Sequence, residues 1–182
     1  MGLVMFLNRV PEVDSIEELT KINERLDNAF VEGKLMEVLK EVRDEKKYIY
    51  NIDFSVCPYM DIEKWKEDKK GWGNIIELNT RVAYWRKFNA LHLWFVENVQ
   101  DGIDECQEHI VTIEHLKKLK EDLDKVNKEN VENILPTQEG FFFGGTEYDD
   151  YYWESIEHLK STVDYLINQH CTDTTYVYCS SW

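Results

Sequence analysis

A chain of 182 residues with 43% hydrophobic and 13% aromatic side chains can bury about two-thirds of its unfolded surface, which excludes a disordered or collagen-like protein. Its 36 acidic residues outnumber 21 basic ones, and a net charge of −15 repels nucleic-acid backbones, so direct binding of DNA or RNA is disfavoured. A phosphate-bearing small molecule stays open, because a few Arg and Lys groups or a helix N-terminus reverse the sign inside one pocket.

In chain order, residues 1–7 form a short apolar run that reads as a buried strand. Ser15, with Glu18 three residues later, has the form of a capping box and predicts a helix through Leu19, Ile22, Leu26 and Phe30. After Gly33 a second amphipathic run places Leu35, Val38, Leu39 and Val42 on one face. Residues 48–54 are rich in β-formers and read as extended; 58–73, with Pro58, Gly71 and Gly73, read as a loop or short helix.

From 78 to 100 there is no Gly or Pro, and the spacing predicts one helix with Tyr84, Phe88, Leu91, Phe95 and Val99 on a shared face. Thr112 with His115, Leu116 and Leu119 opens a charged helix to about residue 134, which Pro136 stops. An aromatic loop, Gly140-Phe141-Phe142-Phe143-Gly144, precedes a helix over 149–169 carrying Tyr152, Ile156, Leu159, Val163 and Leu166. Thr174 to Tyr178 reads as a final strand. No repeat or linker interrupts the chain. The expectation is therefore a single α+β domain, 1–182, mostly helical, with a small sheet of short N-terminal, middle and C-terminal strands.

Cys57, Cys106, Cys171 and Cys179 contain no CxxC pair and read as free thiols in a reducing compartment. No apolar run is long enough to span a membrane, and neither Gly2 with Phe6 nor the ending Cys179-Ser180-Ser181-Trp182 fits a lipidation motif. A cytoplasmic protein is expected.

Two segments carry candidate chemistry. In the predicted 78–100 helix, Arg86 offers a planar fork of donors, Lys87 a point charge, and Trp85 and Trp94 flat stacking faces. Trp85, Asn89 and His92 fall on one stripe, a stacker, an amide and an imidazole that would grip a base or ribose; Arg86 points to a neighbouring side. The competing reading is a buried helix whose polar groups satisfy backbone. In the second segment the glycines around three phenylalanines allow close backbone approach, and backbone N–H groups near Gly144 can hold an anion, with Phe142 and Tyr148 beside them. It is neither a Walker loop nor a dinucleotide fingerprint. Cys106, His109 and His115 have ligand-like spacing without the second pair that completes a tetrahedral site, so no metal and no cofactor are expected. Glu154 and His158 lie one turn apart beside Asp149 and Asp150, a carboxylate–histidine cluster or a solvated ion pair.

The initial Met1-Gly2-Leu3-Val4-Met5-Phe6-Leu7, the middle Ala83-Tyr84-Trp85-Arg86-Lys87-Phe88-Asn89-Ala90-Leu91-His92-Leu93-Trp94-Phe95, and Leu135-Pro136-Thr137 followed by the Phe loop and Tyr148-Asp149 together resemble a family of small bacteriophage and prophage proteins without a settled activity. The resemblance covers about residues 79–165 and the first seven, and leaves 10–75 outside it. The family pattern has Asp in place of Val4, and Ser-like residues in place of Glu139 and Gly145. A catalytic role for that Asp would therefore be missing here. The resemblance implies a phage accessory protein acting in the cytoplasm of an infected bacterium, and a joint role for Trp85, Arg86, Lys87, Asn89, His92 and Trp94 with the Phe loop.

The leading expectation is a counter-defence binding protein, with a homo-oligomer suiting it, that sequesters a small nucleotide-derived signal. The alternatives are a nucleotide- or phosphoester-processing enzyme using His92 or His158, and an acidic protein–protein inhibitor or nucleic-acid mimic working through the helix from Thr112.

Overall fold

The computed structural model describes residues 2–47 and 74–182, and the backbone of 54–56. The described strands are β1 (Val4–Pro11), β2 (Phe54–Val56), β3 (Ile76–Leu78), β4 (Thr80–Arg86), β5 (His109–Val111) and β6 (Thr174–Ser181). The helices are α1 (Ile16–Val31), α2 (Leu35–Lys46), α3 (Asn89–Asn98), α4 (Ile113–Lys125), α5 (Val131–Ile134) and α6 (Asp150–Asn168). The fold is α+β: helices accompany a four-stranded sheet in the order β4-β1-β6-β5, built from N-terminal, middle and C-terminal strands. None of the described helices is long and apolar enough to cross a membrane.

The chain forms two compact units: Met1–Asn8, Arg81–Cys171 and Tyr176–Trp182 make the first, Arg9–Thr80 and Thr172–Thr175 the second. In the first, β1 alternates as a half-buried strand should, with Leu3, Met5 and Leu7 fully inside. These pack in one core with Leu91 and Phe95 of α3, Leu116, Leu119 and Leu123 of α4, and Ile156, Leu159, Val163 and Leu166 of α6. β5 runs antiparallel to β6, pairing His109 with Tyr178 and Val111 with Tyr176. The Phe95 and Tyr178 rings stack with centroids 4.0 Å apart.

Two predicted helices in this unit come out differently. Residues 80–86 form β4, and the helix begins only at Asn89. The Thr-Arg-Val-Ala-Tyr-Trp-Arg segment is rich in β-formers and lies beside β1. The helical spacing of Tyr84, Phe88 and Leu91 arose from two consecutive elements that each put apolar residues inside. The charged helix opened by Thr112 ends at Lys125, and α5 is a separate turn. Asn130 causes the break: its Oδ1 accepts from the Asn127 N–H (2.7 Å) and its Nδ2 donates to the Lys125 carbonyl (3.0 Å), local bonds that compete with the helical ladder. The start of α4 is a full capping box. The Thr112 hydroxyl accepts from the His115 N–H (3.3 Å), and His115 Nδ1 accepts from the Thr112 N–H (3.2 Å).

In the second unit Ser15 caps α1 by accepting from the Glu18 N–H (3.2 Å), while the Glu18 carboxylate accepts from the Asp14 N–H (2.9 Å), one residue earlier than in a reciprocal box. Leu26, Val42, Ile75, Ile76 and Leu78 form this unit's core. β2 and β3 are antiparallel, with Ser55 opposite Glu77. Asp27 on α1 is 1% exposed and holds the β3 end: its Oδ1 accepts from the Ile76 N–H (2.7 Å) and its Oδ2 from Asn74 Nδ2 (2.9 Å). The extended reading of 48–54, apart from Phe54 in β2, and the loop reading of 58–73 lie outside the described residues.

Burial pushes the Asp27 carboxyl above its ordinary value, against the lowering effect of these hydrogen bonds. An acid with a raised folded value holds its proton more tightly when folded, so its contribution to stability declines as pH rises from about 4 through the raised value. Chemical denaturation at a series of pH values should show a weaker slope of this sign in Asp27→Asn than in the native protein, with Glu12, also raised by burial, adding to it and Glu18 and Glu45, whose values are lowered, opposing it. Asp27→Ala, which strands the Ile76 N–H, should cost this unit about 1–3 kcal/mol.

Candidate functional site

The site grows from the chain reversal between β4 and α3, within the first unit. Arg86 ends the strand, Lys87 adopts a left-handed φ of 55°, and Phe88 precedes the first helical residue, Asn89. That conformation costs a non-glycine residue about 1 kcal/mol. Two contacts hold it. The Lys87 N–H donates to the Leu3 carbonyl (2.9 Å), and the side chain runs past glycine backbone. A Cβ on Gly144, itself at φ +98°, would stand 3.1 Å from Lys87 Cβ, and one on Gly2 would stand 3.2 Å from Lys87 Cε. Glycine at these positions makes room for the lysine stem.

Asn89 then pins the aromatic loop. Its Nδ2 donates to the carbonyls of Gly145 (2.7 Å) and Phe143 (3.3 Å), and its Oδ1 accepts from the Gln138 N–H (3.1 Å). Thr137 adds two bonds: its hydroxyl donates to the Thr146 carbonyl (2.9 Å), and its N–H donates to the Tyr148 hydroxyl (3.2 Å). The Phe142 carbonyl accepts from the Leu3 N–H (2.8 Å), and Phe143 is buried with its ring edge-on to His92.

Two adjoining cavities open beside this framework. The first, about 270 Å³, is bounded by Tyr84, Trp85 and Arg86 of β4 and by Tyr151, Glu154 and His158 of α6. The second, about 240 Å³, is bounded by Lys87, Asn89, Thr137, Gly144, Gly145, Glu147 and Asp149. Phe88, Tyr151 and Ser155 line both, so the two form one groove.

Three features of the groove bear on chemistry. Arg86 and Lys87 are exposed and, among the described residues, have no carboxylate partner, whereas Lys117, Lys118, Lys120, Lys125 and Lys160 of the same unit all have one. The indole of Trp85 is 7% exposed, and its N–H, closed to solvent, has no acceptor among the described residues. A buried donor left unpaired costs about 1–3 kcal/mol. Tyr84 and Tyr151 present 48% and 61% of their surface to solvent, flat faces for stacking. The carboxylates Glu147, Asp149 and Glu154 are all exposed, and Asp149 is also the N-cap of α6, accepting from the Tyr152 N–H (3.0 Å). Ser155 donates its hydroxyl to the Tyr151 carbonyl (2.8 Å) and is not aimed at His158 as a nucleophile would be.

Of the residues singled out from sequence, Trp85, Arg86, Lys87, Asn89 and Gly144 line this groove. His92, Trp94, Phe142 and Tyr148 do not line it, and the stripe of Trp85, Asn89 and His92 does not exist, because Trp85 is on a strand and the other two are on α3. His92 is fully buried between the Tyr178 hydroxyl (2.8 Å from Nδ1) and Asp104 (3.0 Å from Nε2). Asp104 also accepts from the Trp182 indole (3.1 Å), and burial pushes the Tyr178 phenol up. Trp94 donates to Asp122 (3.0 Å), lies under the Lys118 ammonium, and borders a separate cavity of about 270 Å³ with Leu135 and Pro136. Phe142 is half-buried in the loop, and Tyr148 braces Thr137. Tyr151, Glu154, Ser155 and His158 belong to the groove although only the Glu154–His158 pair stood out in the sequence. Their 3-4-7 spacing on α6 was the available signal, a helix face beside the apolar one. Set against family models, curated proteins and solved structures, the chain matches none.

Asn89→Ala would strand two carbonyls and one N–H of the loop. The expected result is a loss of about 1–3 kcal/mol, together with faster amide exchange and proteolysis confined to residues 137–146.

Proposed function

We propose that the groove binds a small nucleotide-derived ligand and holds it without turning it over. The observation that carries this reading is the exposed Arg86, without a carboxylate partner among the described residues, at the wall of a cavity with exposed tyrosine faces. A phosphate oxygen pairs with such a guanidinium, and charge-assisted bonds of this kind are the strong ones. Tyr151 offers a face for a base or ribose. Glu154 and Glu147 oppose a purely anionic ligand, but they accept from ribose hydroxyls or an exocyclic amine, which a nucleotide supplies. The resemblance to phage proteins supports a role as an accessory protein that sequesters a host signalling nucleotide.

Calorimetry against a panel of mono-, cyclic and ADP-ribose-type nucleotides tests the reading; a folded protein that gives heat with none of them overturns it. Arg86→Gln should weaken binding by about tenfold, the worth of one charge-assisted hydrogen bond, while leaving the melting temperature unchanged, since the side chain is exposed and has no carboxylate partner among the described residues. A merely structural arginine would not separate the two readouts in this way. Glu154→Gln should also weaken binding; a gain would mean that the ligand presents only anionic groups there. Denaturing the loaded protein and chromatographing the released material should return the ligand intact, and a product in its place would make the protein an enzyme.

A further inference from the structure

We propose that the first cavity reads the base of its ligand and selects guanine, with Tyr151 as the stacking platform and Glu154 as the acceptor for the base edge. The inference rests on the nucleotide reading of the groove and adds the identity of the base.

Arg86 and Glu154 line the same cavity from different elements, β4 and α6, and both are exposed. Among the described residues neither has an ion-pair partner, and they do not pair with each other, whereas the nearby Glu157 takes Lys160 (3.0 Å). A guanidinium and a carboxylate that share a cavity without closing on one another leave room for a ligand with an acceptor at one end and donors at the other. Two other groups of this cavity offer such a ligand nothing. The Ser155 hydroxyl is spent on the Tyr151 carbonyl (2.8 Å), and the Trp85 N–H is closed to solvent.

Tyr151 supplies the platform. The aromatic rings beside it in sequence are engaged: Tyr148 packs edge-on to Tyr152 (centroids 5.0 Å apart), and Tyr152 packs edge-on to Phe88 (6.1 Å) and Trp153 (5.4 Å). Tyr151 is 61% exposed and has no ring partner among the described residues. Glu154 stands three residues further along α6, the spacing that sets side chains next to one another on a helix face. A base stacked on Tyr151 therefore presents its edge to Glu154. The carboxylate has two acceptor oxygens and no donor. The Watson–Crick edge of guanine carries two adjacent donors, N1–H and N2–H, which match that fork with charge-assisted bonds. Adenine and cytosine set an acceptor ring nitrogen beside their amine, and uracil flanks its one N–H with two carbonyls, so each turns a repelling lone pair towards the carboxylate. His158, one turn beyond Glu154 and lining the same cavity, can donate to the guanine O6.

The test is titration calorimetry on the full chain with four probes: GMP, IMP, AMP and UMP. GMP should bind about tenfold or more tightly than AMP and UMP, the worth of one charge-assisted hydrogen bond. IMP, which keeps N1–H but lacks the N2 amine, should fall between them. Glu154→Gln, an exposed position checked for an unchanged melting curve, should bring GMP down towards the AMP level. Tyr151→Leu, checked in the same way, should weaken all four by about fivefold, the worth of one stacked base, without changing their order. AMP binding as tightly as GMP, a GMP preference that survives Glu154→Gln, or a Tyr151→Leu variant that binds all four unchanged overturns the base-reading arrangement while the groove remains a nucleotide site. Absence of binding by all four overturns this inference, and absence across the wider nucleotide panel removes the nucleotide reading with it.

Discussion

The left-handed turn at Lys87 is the constraint on which the site depends. A strand must end, a helix must begin, and the backbone between them must take a conformation that an L-residue resists. The surrounding contacts over-determine it: β1 receives the Lys87 N–H, glycine at two positions leaves room for the stem, and Asn89, one residue into the helix, uses every polar atom of its side chain on the loop that carries Gly144. Strain of this kind persists only where neighbours enforce it, and it is commonly found where side chains must be held in position. Here the side chains so held belong to two adjacent cations, each of which borders one of two adjoining cavities.

The polar groups of the first unit fall into two populations. Most are internally satisfied. His92 has a phenol on one nitrogen and a carboxylate on the other, Trp94 donates to Asp122, and the buried Tyr152 hydroxyl donates to the Leu135 carbonyl (2.7 Å). These lock one arrangement of the core and leave nothing for a ligand. Trp85 is the contrast, an indole of similar burial whose N–H, closed to solvent, has no partner among the described residues, as is also true of the buried Gln100 amide. Residue type alone does not separate two tryptophans nine positions apart; their partners do.

Charge follows the same logic. In a chain of net charge −15, an unpaired cation sits in a field that strongly favours an ion pair. The helix lysines of this unit take that option with carboxylates three or four residues away. Arg86 and Lys87 cannot, because a strand end and a left-handed turn offer no such neighbour along the chain. Their availability is a consequence of backbone geometry, and it gives an acidic protein a local place for a phosphate without making it a nucleic-acid binder.

Much of the architecture was legible from sequence because it is set by local rules. The short apolar run of residues 1–7 announces a strand, Ser15 and Thr112 cap the helices they precede, and the apolar spacing from Tyr152 to Leu166 marks α6. The α+β class follows from those elements. The site was legible only in part. Arg86, Lys87 and the glycine loop drew attention by composition, but the period that joined Trp85 to His92 was an accident of two elements meeting, since both a strand and a helix bury apolar residues and no glycine or proline marked the junction. Which polar residues face the groove and which are consumed in the core depends on contacts across 50 to 90 residues of chain, Asn89 with Gly145 and His92 with Tyr178 among them. No local pattern carries that information, because hydrogen-bond partners so far apart in sequence are chosen by packing alone.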